Sequence, residues 1–453
     1  MTMKPIYSIL SFLSLIAFIS CGEQWLDKKS SLSLVVPSTL RDLKALLDNT
    51  AIMSETMPVL GEAASDNYFV TYNRWQVNSR IYANAYVWSN DIYNDVDINN
   101  EWNYPYRKIY YTNIALEGLQ KLQPNPYEQD AYNNVRGMAL FHRADAWHRL
   151  SQIFSASYYN TSSATDSGIP LRLTTDVTTP LKLSTVGEVY QQIVADLKKA
   201  SELLPIKPAF KTNPSKPAAF ATLARVFLTM ENYELALMYA DSCLQLYDTL
   251  LDYNQLNPAD AYPIPFLNDE VIIQMRLFPG SLFGNNYFVD SLLYESYEEN
   301  DLRKTIFFRD KGLGGYNFIG SYDNGVFNFG GIATDEIYLI RAECYARNGD
   351  IGNALKDLNT LLEKRWKSDT FVPLVASNQE ETLTLILTER RKELIFRALR
   401  WSDLRRLNKD TRFAKTLVRV LNDQTYTLPP NDTRYVFPFP PNVLRLGDYE
   451  NQF

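Results

Sequence analysis

The stretch Glu336 to Arg365, EIYLIRAECYARNGDIGNALKDLNTLLEKR, constrains the fold more than any other part of the chain. Tyr338, Ala342 and Tyr345 recur at spacings of four and three, as do Ala354, Leu358 and Leu361, so two amphipathic helices follow one another. Asn348-Gly349-Asp350 separates them: Gly349 suits the left-handed end of the first helix, and Asp350 suits the cap of the second. Small Ala342 and Ala354 allow close approach. A lone pair of this kind buries too little surface to stand by itself, so the pattern predicts further copies. One is present. Phe220, Ala224 and Phe227, then Ala236, Ala240 and Cys243, repeat the offsets, with Glu231-Asn232-Tyr233 at the turn.

This large-small-large pattern resembles the tetratricopeptide helix pair, whose usual setting is a stack of similar hairpins. Residues 136 to 204 form a third candidate pair once the polar loop Ser155 to Thr185 is set aside. Helical periodicity also marks Glu101 to Leu116, Tyr127 to Phe154, Val186 to Leu204 and Leu383 to Leu407. The last is dense in arginine, but Glu389, Glu393 and Asp403 interleave with Arg390, Arg397, Arg400 and Arg406. Ion pairing against the scaffold, with Glu393 and Arg397 in the favourable i,i+4 order, is the expectation there. His142 and His148, the only histidines, project from different sides of one helix and read as surface residues sharing no metal.

Between these helical parts the period is lost twice. Residues 58 to 100 mix Asn, Asp and Ser with rings: Asn67 beside Tyr68, then Tyr72, Trp75, Tyr82, Tyr86 and Trp88. Residues 249 to 332 are rich in Pro, Gly, Asn and aromatics, including Tyr287, Phe288, Tyr316, Tyr322 and Phe327, with a short strand over 268 to 274 and a short helix over 292 to 297. Loops on a rigid scaffold are where ligands bind. Rings offer flat apolar faces and amides offer hydrogen bonds, the combination that a sugar's C–H face and hydroxyl edge require; rings that merely cover the scaffold would look the same. Candidate contacts are Asn67, Tyr68, Tyr72, Trp75, Trp88, Tyr287, Tyr316 and Tyr322. Asp95-Val96-Asp97-Ile98-Asn99-Asn100 imitates a calcium loop but places Asn100 at the glycine position and Tyr106 at the bidentate carboxylate position, so no metal site is expected.

At the N-terminus, Lys4 precedes an apolar run from Ile6 to Ile19, too short for a membrane span and suited to a signal peptide over residues 1 to 20. Ser20-Cys21 follows it, a small residue directly before a cysteine, as in a bacterial lipobox. Cys21 is then the acylated first residue of the exported chain, anchoring it to a membrane, and residues 21 to 37 are the lipidated N-terminus and tether. Cys243 and Cys344 remain as small buried thiols on helices, with no disulfide expected. Formal net charge is −7, and −8 once Lys4 is removed, which argues against a nucleic-acid partner held by phosphate neutralisation.

A family resemblance gathers these landmarks. Cys21, Asp66-Asn67, Trp102 with Asn113, Gly137 with Arg143-Ala144, Glu188-Val189-Tyr190, Ala224-Arg225, Asp301-Leu302-Arg303, Tyr338 to Glu343, Glu389-Arg390, Arg400 to Leu404 and Phe437-Pro438-Phe439-Pro440 follow in the order of the SusD/RagB-like outer-membrane lipoproteins of Bacteroidetes. Arg397-Ala398 departs from the family's usual acidic residue and glycine. The resemblance implies a mostly α fold: tetratricopeptide-like hairpins form a scaffold, about 101–248 and 333–408, and carry an irregular loop-rich ligand-binding lobe, about 58–100 and 249–332, within a domain of residues 38 to 453. It further implies a cell-surface protein that captures an oligosaccharide or polysaccharide and delivers it to a SusC-like TonB-dependent barrel, without catalysis or cofactor. Two alternatives stay open: a peptide-binding member similar to the RagB branch, and a glycoside hydrolase, which needs only a carboxylate pair. The chain holds no GxSxG, HExxH or P-loop motif. Phe437-Pro438-Phe439-Pro440-Pro441 cannot be helical and is expected to run extended over the surface.

Overall fold

The computed structural model describes residues 37–93, 99–277, 287–312, 314–447 and 449. The signal peptide, Cys21, the tether up to residue 36 and Asp95 to Ile98 lie outside the described residues.

Among the described residues nine helices build the scaffold: α1 (Asn100–Gln120), α2 (Gln129–Phe154), α3 (Val186–Leu203), α4 (Lys216–Thr229), α5 (Tyr233–Leu244), α6 (Thr334–Arg347), α7 (Ile351–Glu363), α8 (Gln379–Glu393) and α9 (Arg400–Leu407). From α1 to α8 each packs on the next, so α5 meets α6 across the long irregular insertion. The two hairpins first seen in the sequence share one turn geometry. Asn232 and Asp350 each accept the backbone N–H three residues on, at 3.1 Å in both cases. Gly349 has φ 81°, and Glu231 has φ 57° in the matching turn. Ala224, Ala236, Ala240, Ala342 and Ala354 are fully buried where the helices approach, and Cys243 and Cys344 are buried free thiols.

Three expectations are corrected. The arginine-rich stretch is two helices: α8 ends at Glu393, and the chain turns through Phe396 and Ala398, both left-handed at φ 57°, before α9 begins. Local composition favours helix there, but buried Leu394, Ile395 and Phe396 and the Ala398 N–H bond to Glu62 Oε2 (2.9 Å) hold the turn. Ala398 adopts the conformation that explains a glycine in the family pattern. Ion pairing does hold this region, with different partners: Arg397 reaches Asp335 (2.7 Å) rather than Glu393, while Glu393 accepts from Arg303 (2.9 Å) and Arg365 (2.7 Å). Second, both histidines are buried rather than on a helix surface. Burial, and then the charge of Arg225, push His148 down to about 3, and burial holds His142 well below its ordinary value, so both stay neutral. Third, the Phe-Pro run is extended but buried: Phe437 stacks on Trp401 (5.5 Å), Phe439 meets Trp102 (4.7 Å), and a helix, Pro441–Gly447, follows.

Among the described residues the strands form four two-stranded antiparallel ladders, accompanied by short helices. β1 (Tyr68–Phe69) pairs with β3 (Phe288–Val289), β2 (Val271–Ile273) with β6 (Ile332–Ala333), β4 (Phe308–Asp310) with β5 (Tyr316–Phe318), and β7 (Leu417–Leu421) with β8 (Gln424–Leu428). β2 falls within the expected strand, and the expected short helix spans Ser291–Glu295.

Candidate ligand-binding face

The β1–β3 ladder is the structural basis of the candidate site, because it joins the two irregular stretches, with Tyr68 opposite Val289 and Phe69 opposite Phe288. Alternation along a strand sends Tyr68 and Val289 inward, where both are buried. Phe69 and Phe288 face the other way and stack at 5.3 Å with an 18° interplanar angle; Phe69 is 39% exposed. Lys311 Nζ lies 4.7 Å over the Phe288 ring and donates to Tyr287 O at 3.0 Å. Just beyond β1, Thr71 caps the helix Tyr72–Gln76, and half-buried Tyr72 and Trp75 stack at 5.8 Å. Trp75 Nε1 donates to Ala83 O (2.8 Å), which fixes the indole while leaving ring surface outside.

On β5, half-buried Tyr316 stacks on Tyr294 at 3.6 Å. Gly315 lets β5 approach β3, since a Cβ there would come within 2.4 Å of the Phe288 ring. Beside these rings is a pocket of about 280 Å³, near the lower end of ordinary ligand sites. Tyr262, Arg309, Asn317, Phe318, Ser321 and Asn328 line part of it. Arg309 is held by Pro258 O (3.1 Å) and Asp260 O (2.8 Å), so its orientation is fixed before any ligand arrives. The arrangement offers ring faces, carboxamides and one guanidinium: it suits stacking and hydrogen bonding. Among the described residues no group of three or more His, Cys, Asp or Glu could hold a metal ion.

The sequence candidates divide by burial. Tyr72, Trp75 and Tyr316 keep accessible ring surface. The other five belong to the wall behind them. Asn67 donates to Glu62 Oε1 (2.9 Å), Tyr68 OH to Ala63 O (2.7 Å), and Trp88 Nε1 to Ala64 O (2.9 Å). Tyr287 packs against Tyr68 (5.8 Å) and Phe396 (5.2 Å), and reaches the pocket only as lining. Tyr322, fully buried, donates to Glu270. Phe69, Tyr262, Tyr294, Asn317 and Arg309 are added by the structure. Only Phe69, next to a candidate ring in a strand-like pair, carried any local signal.

A stack of helical hairpins that presents paired rings and amides from its loops is the construction of a binding protein. The family follows from comparison. A SusD-like model described as starch-binding associating with outer membrane matches residues 24–228, and the SusD family model matches residues 334–445. The chain belongs to the SusD family, whose members are carbohydrate-binding proteins associated with the outer membrane. SusD-like protein P2 of Formosa agariphila is 25% identical over 372 residues, 68% of this chain and 71% of that protein. Solved structures share the fold. A SusD superfamily protein from Bacteroides thetaiotaomicron has a TM-score of 0.73 at 20% identity, covering 90% of this chain and 98% of that one. A SusD-like carbohydrate binding protein from Bacteroides vulgatus has a TM-score of 0.69 at 19% identity, covering 92% and 98%. Among the described residues no helix is long and apolar enough to cross a membrane.

Proposed function

We propose that this chain is a cell-surface lipoprotein, anchored through Cys21, that captures an oligosaccharide or polysaccharide and delivers it to a SusC-like TonB-dependent barrel. The observation that carries the reading is the β1–β3 pairing, which turns two ring-rich loop segments into one face beside a pocket. Phe69, Tyr72, Trp75, Phe288 and Tyr316 serve as platforms for sugar rings, and Tyr262, Asn317 and Asn328 bond hydroxyls. The Asn317 and Asn328 carboxamides and the Tyr262 hydroxyl make no hydrogen bond to the described residues, so their capacity is free for a ligand. In this reading the hairpins, about 101–248 and 333–408, form the rigid body that docks on the barrel, and no bond is made or broken.

Native electrophoresis in gels that each contain one polysaccharide tests it. Retardation of the chain starting at residue 22 by one glycan class, lost in the Trp75→Ala/Tyr316→Ala double variant, supports capture at this face. Binding confined to peptides moves the protein to the RagB-like branch, and release of sugar products overturns the non-catalytic reading.

A further inference from the structure

Beside Trp401 is a small cavity of about 40 Å³. It sits where α2, α4, α9, the helix Leu60–Ala64 and the turn before α9 converge. His148, Arg149, Gln152, Arg225, Ala398 and Trp401 are among its lining residues. Gln152, Ala398 and Arg149 are only half-buried, which gives the cavity a mouth.

Its polar lining is dominated by donors. Trp401 is 1% exposed, and its Nε1 has no hydrogen-bond partner. Trp401 lines the cavity, and its pyrrole side packs against the lining residue Gly61, where a Cβ would come 3.1 Å from Trp401 Cδ1, the atom bonded to Nε1. Arg149 spends Nε on Asp145 (2.8 Å) and Nη2 on Gly330 O (2.7 Å). Arg225 spends Nε and Nη2 on Glu336 (2.7 and 2.6 Å). In both, Nη1 donates to no described residue. Trp401 Nε1 is therefore a buried donor without an acceptor, which is costly, and two guanidiniums with spare donors line the same cavity.

Charge points the same way. Lys108 and Arg149 share a single carboxylate, Asp145, and Arg225 has Glu336, so three cations meet two carboxylates. His148 is neutral. Glu62, beside Gly61, is turned to Ser65, Asn67 and the Ala398 N–H, and burial pushes its carboxyl up. The two guanidiniums are close enough to repel: burial, and the charge of Arg225 working against Asp145, hold Arg149 below its ordinary range.

We infer that this cavity is a binding site for one small monovalent anion of halide size, held by Trp401 Nε1 and the free Nη1 groups of Arg149 and Arg225. Its volume admits a halide or a few waters and excludes a sugar. By tying α2 and α4 to α9, the ion braces the scaffold under the turn that carries Ala398.

Thermal unfolding of the chain starting at residue 22, in chloride or bromide against gluconate at constant ionic strength, tests the inference. The expected result is a saturable rise in Tm with either halide and none with gluconate, because a ligand that binds only the folded state raises stability with its concentration. Trp401→Phe keeps the ring stack and removes the N–H, so the halide midpoint moves up about tenfold, the worth of one charge-assisted hydrogen bond. Bromide-soaked crystals of the unaltered chain give a readout independent of that variant. An anomalous peak within hydrogen-bond distance of Trp401 Nε1 supports the site. Equal Tm in all three salts, or a cavity holding water only, overturns it.

Discussion

Glu270 makes stability depend on pH in a direction that a single substitution can isolate. Its carboxylate is fully buried where the irregular lobe meets the scaffold. Oε1 accepts from Arg365 Nη2 (2.7 Å) and Leu251 N (2.9 Å), and Oε2 accepts from Tyr322 OH. The same hydroxyl lies 3.2 Å from Asp335 Oδ2 and 3.0 Å from Tyr253 OH, and Arg397 and Glu393 complete the surroundings. Burial first, then Asp335 and Glu393 working against Arg365, push Glu270 up from 4.5 to about 7. Between those values the folded protein holds a proton that the unfolded chain has released, so stability falls as pH rises through this window and the loss is complete above about 7. A shift of about 2.5 units at 1.36 kcal/mol each amounts to about 3 kcal/mol. Glu270→Gln imitates the protonated acid: the amide oxygen keeps Arg365 and Leu251, and the amide N–H donates to Tyr322, whose proton turns to Asp335. Urea unfolding at pH 5 and pH 8, which spans most of that window, should show the unaltered protein losing about 2–3 kcal/mol more than Glu270→Gln, other titrations cancelling between the two. Parallel profiles would refute the argument.

Further substitutions separate the binding face from the wall behind it. Trp75→Ala and Tyr316→Ala should each weaken glycan binding about tenfold, about 1.4 kcal/mol, with urea midpoints nearly unchanged. Trp88→Ala should instead cost about 3–5 kcal/mol in urea unfolding and leave the ligand Kd of the folded protein in place, because that indole is core. Arg303, fully buried between Asp301, Glu389 and Glu393, should cost about 3–5 kcal/mol when replaced by Met, since three carboxylates then retain only Lys392 and Arg365. Cys21→Ser should move the exported protein from the detergent-soluble membrane fraction to the aqueous one.

The scaffold was legible because its information is local. A 3.6-residue period, Gly349 and Asp350 at one turn and Glu231 and Asn232 at the other declare hairpins without knowledge of any partner. The lobe was legible only as a composition. What makes it one face is a two-residue ladder between Phe69 and Phe288, more than two hundred residues apart, and strands that short carry no readable alternation. Burial failed for the same reason. Trp88 and Tyr322 look like Trp75 and Tyr316 in sequence, and only long-range partners, Ala64 and Glu270, place them inside. Tertiary contacts also overrode propensity between Leu394 and Leu399, where a helix-favouring sequence turns twice through left-handed conformations.

The central claim, capture of a glycan by the ring-bearing face, is tested most directly by calorimetric titration of the soluble chain starting at residue 22 against a panel of polysaccharides, oligosaccharides and peptides, with product release monitored in the same samples. The account predicts saturable heat with one glycan class, no cleavage, and loss of that heat in the Trp75→Ala/Tyr316→Ala variant. Heat from peptides alone, cleavage of any glycan, or full binding by the double variant would contradict it.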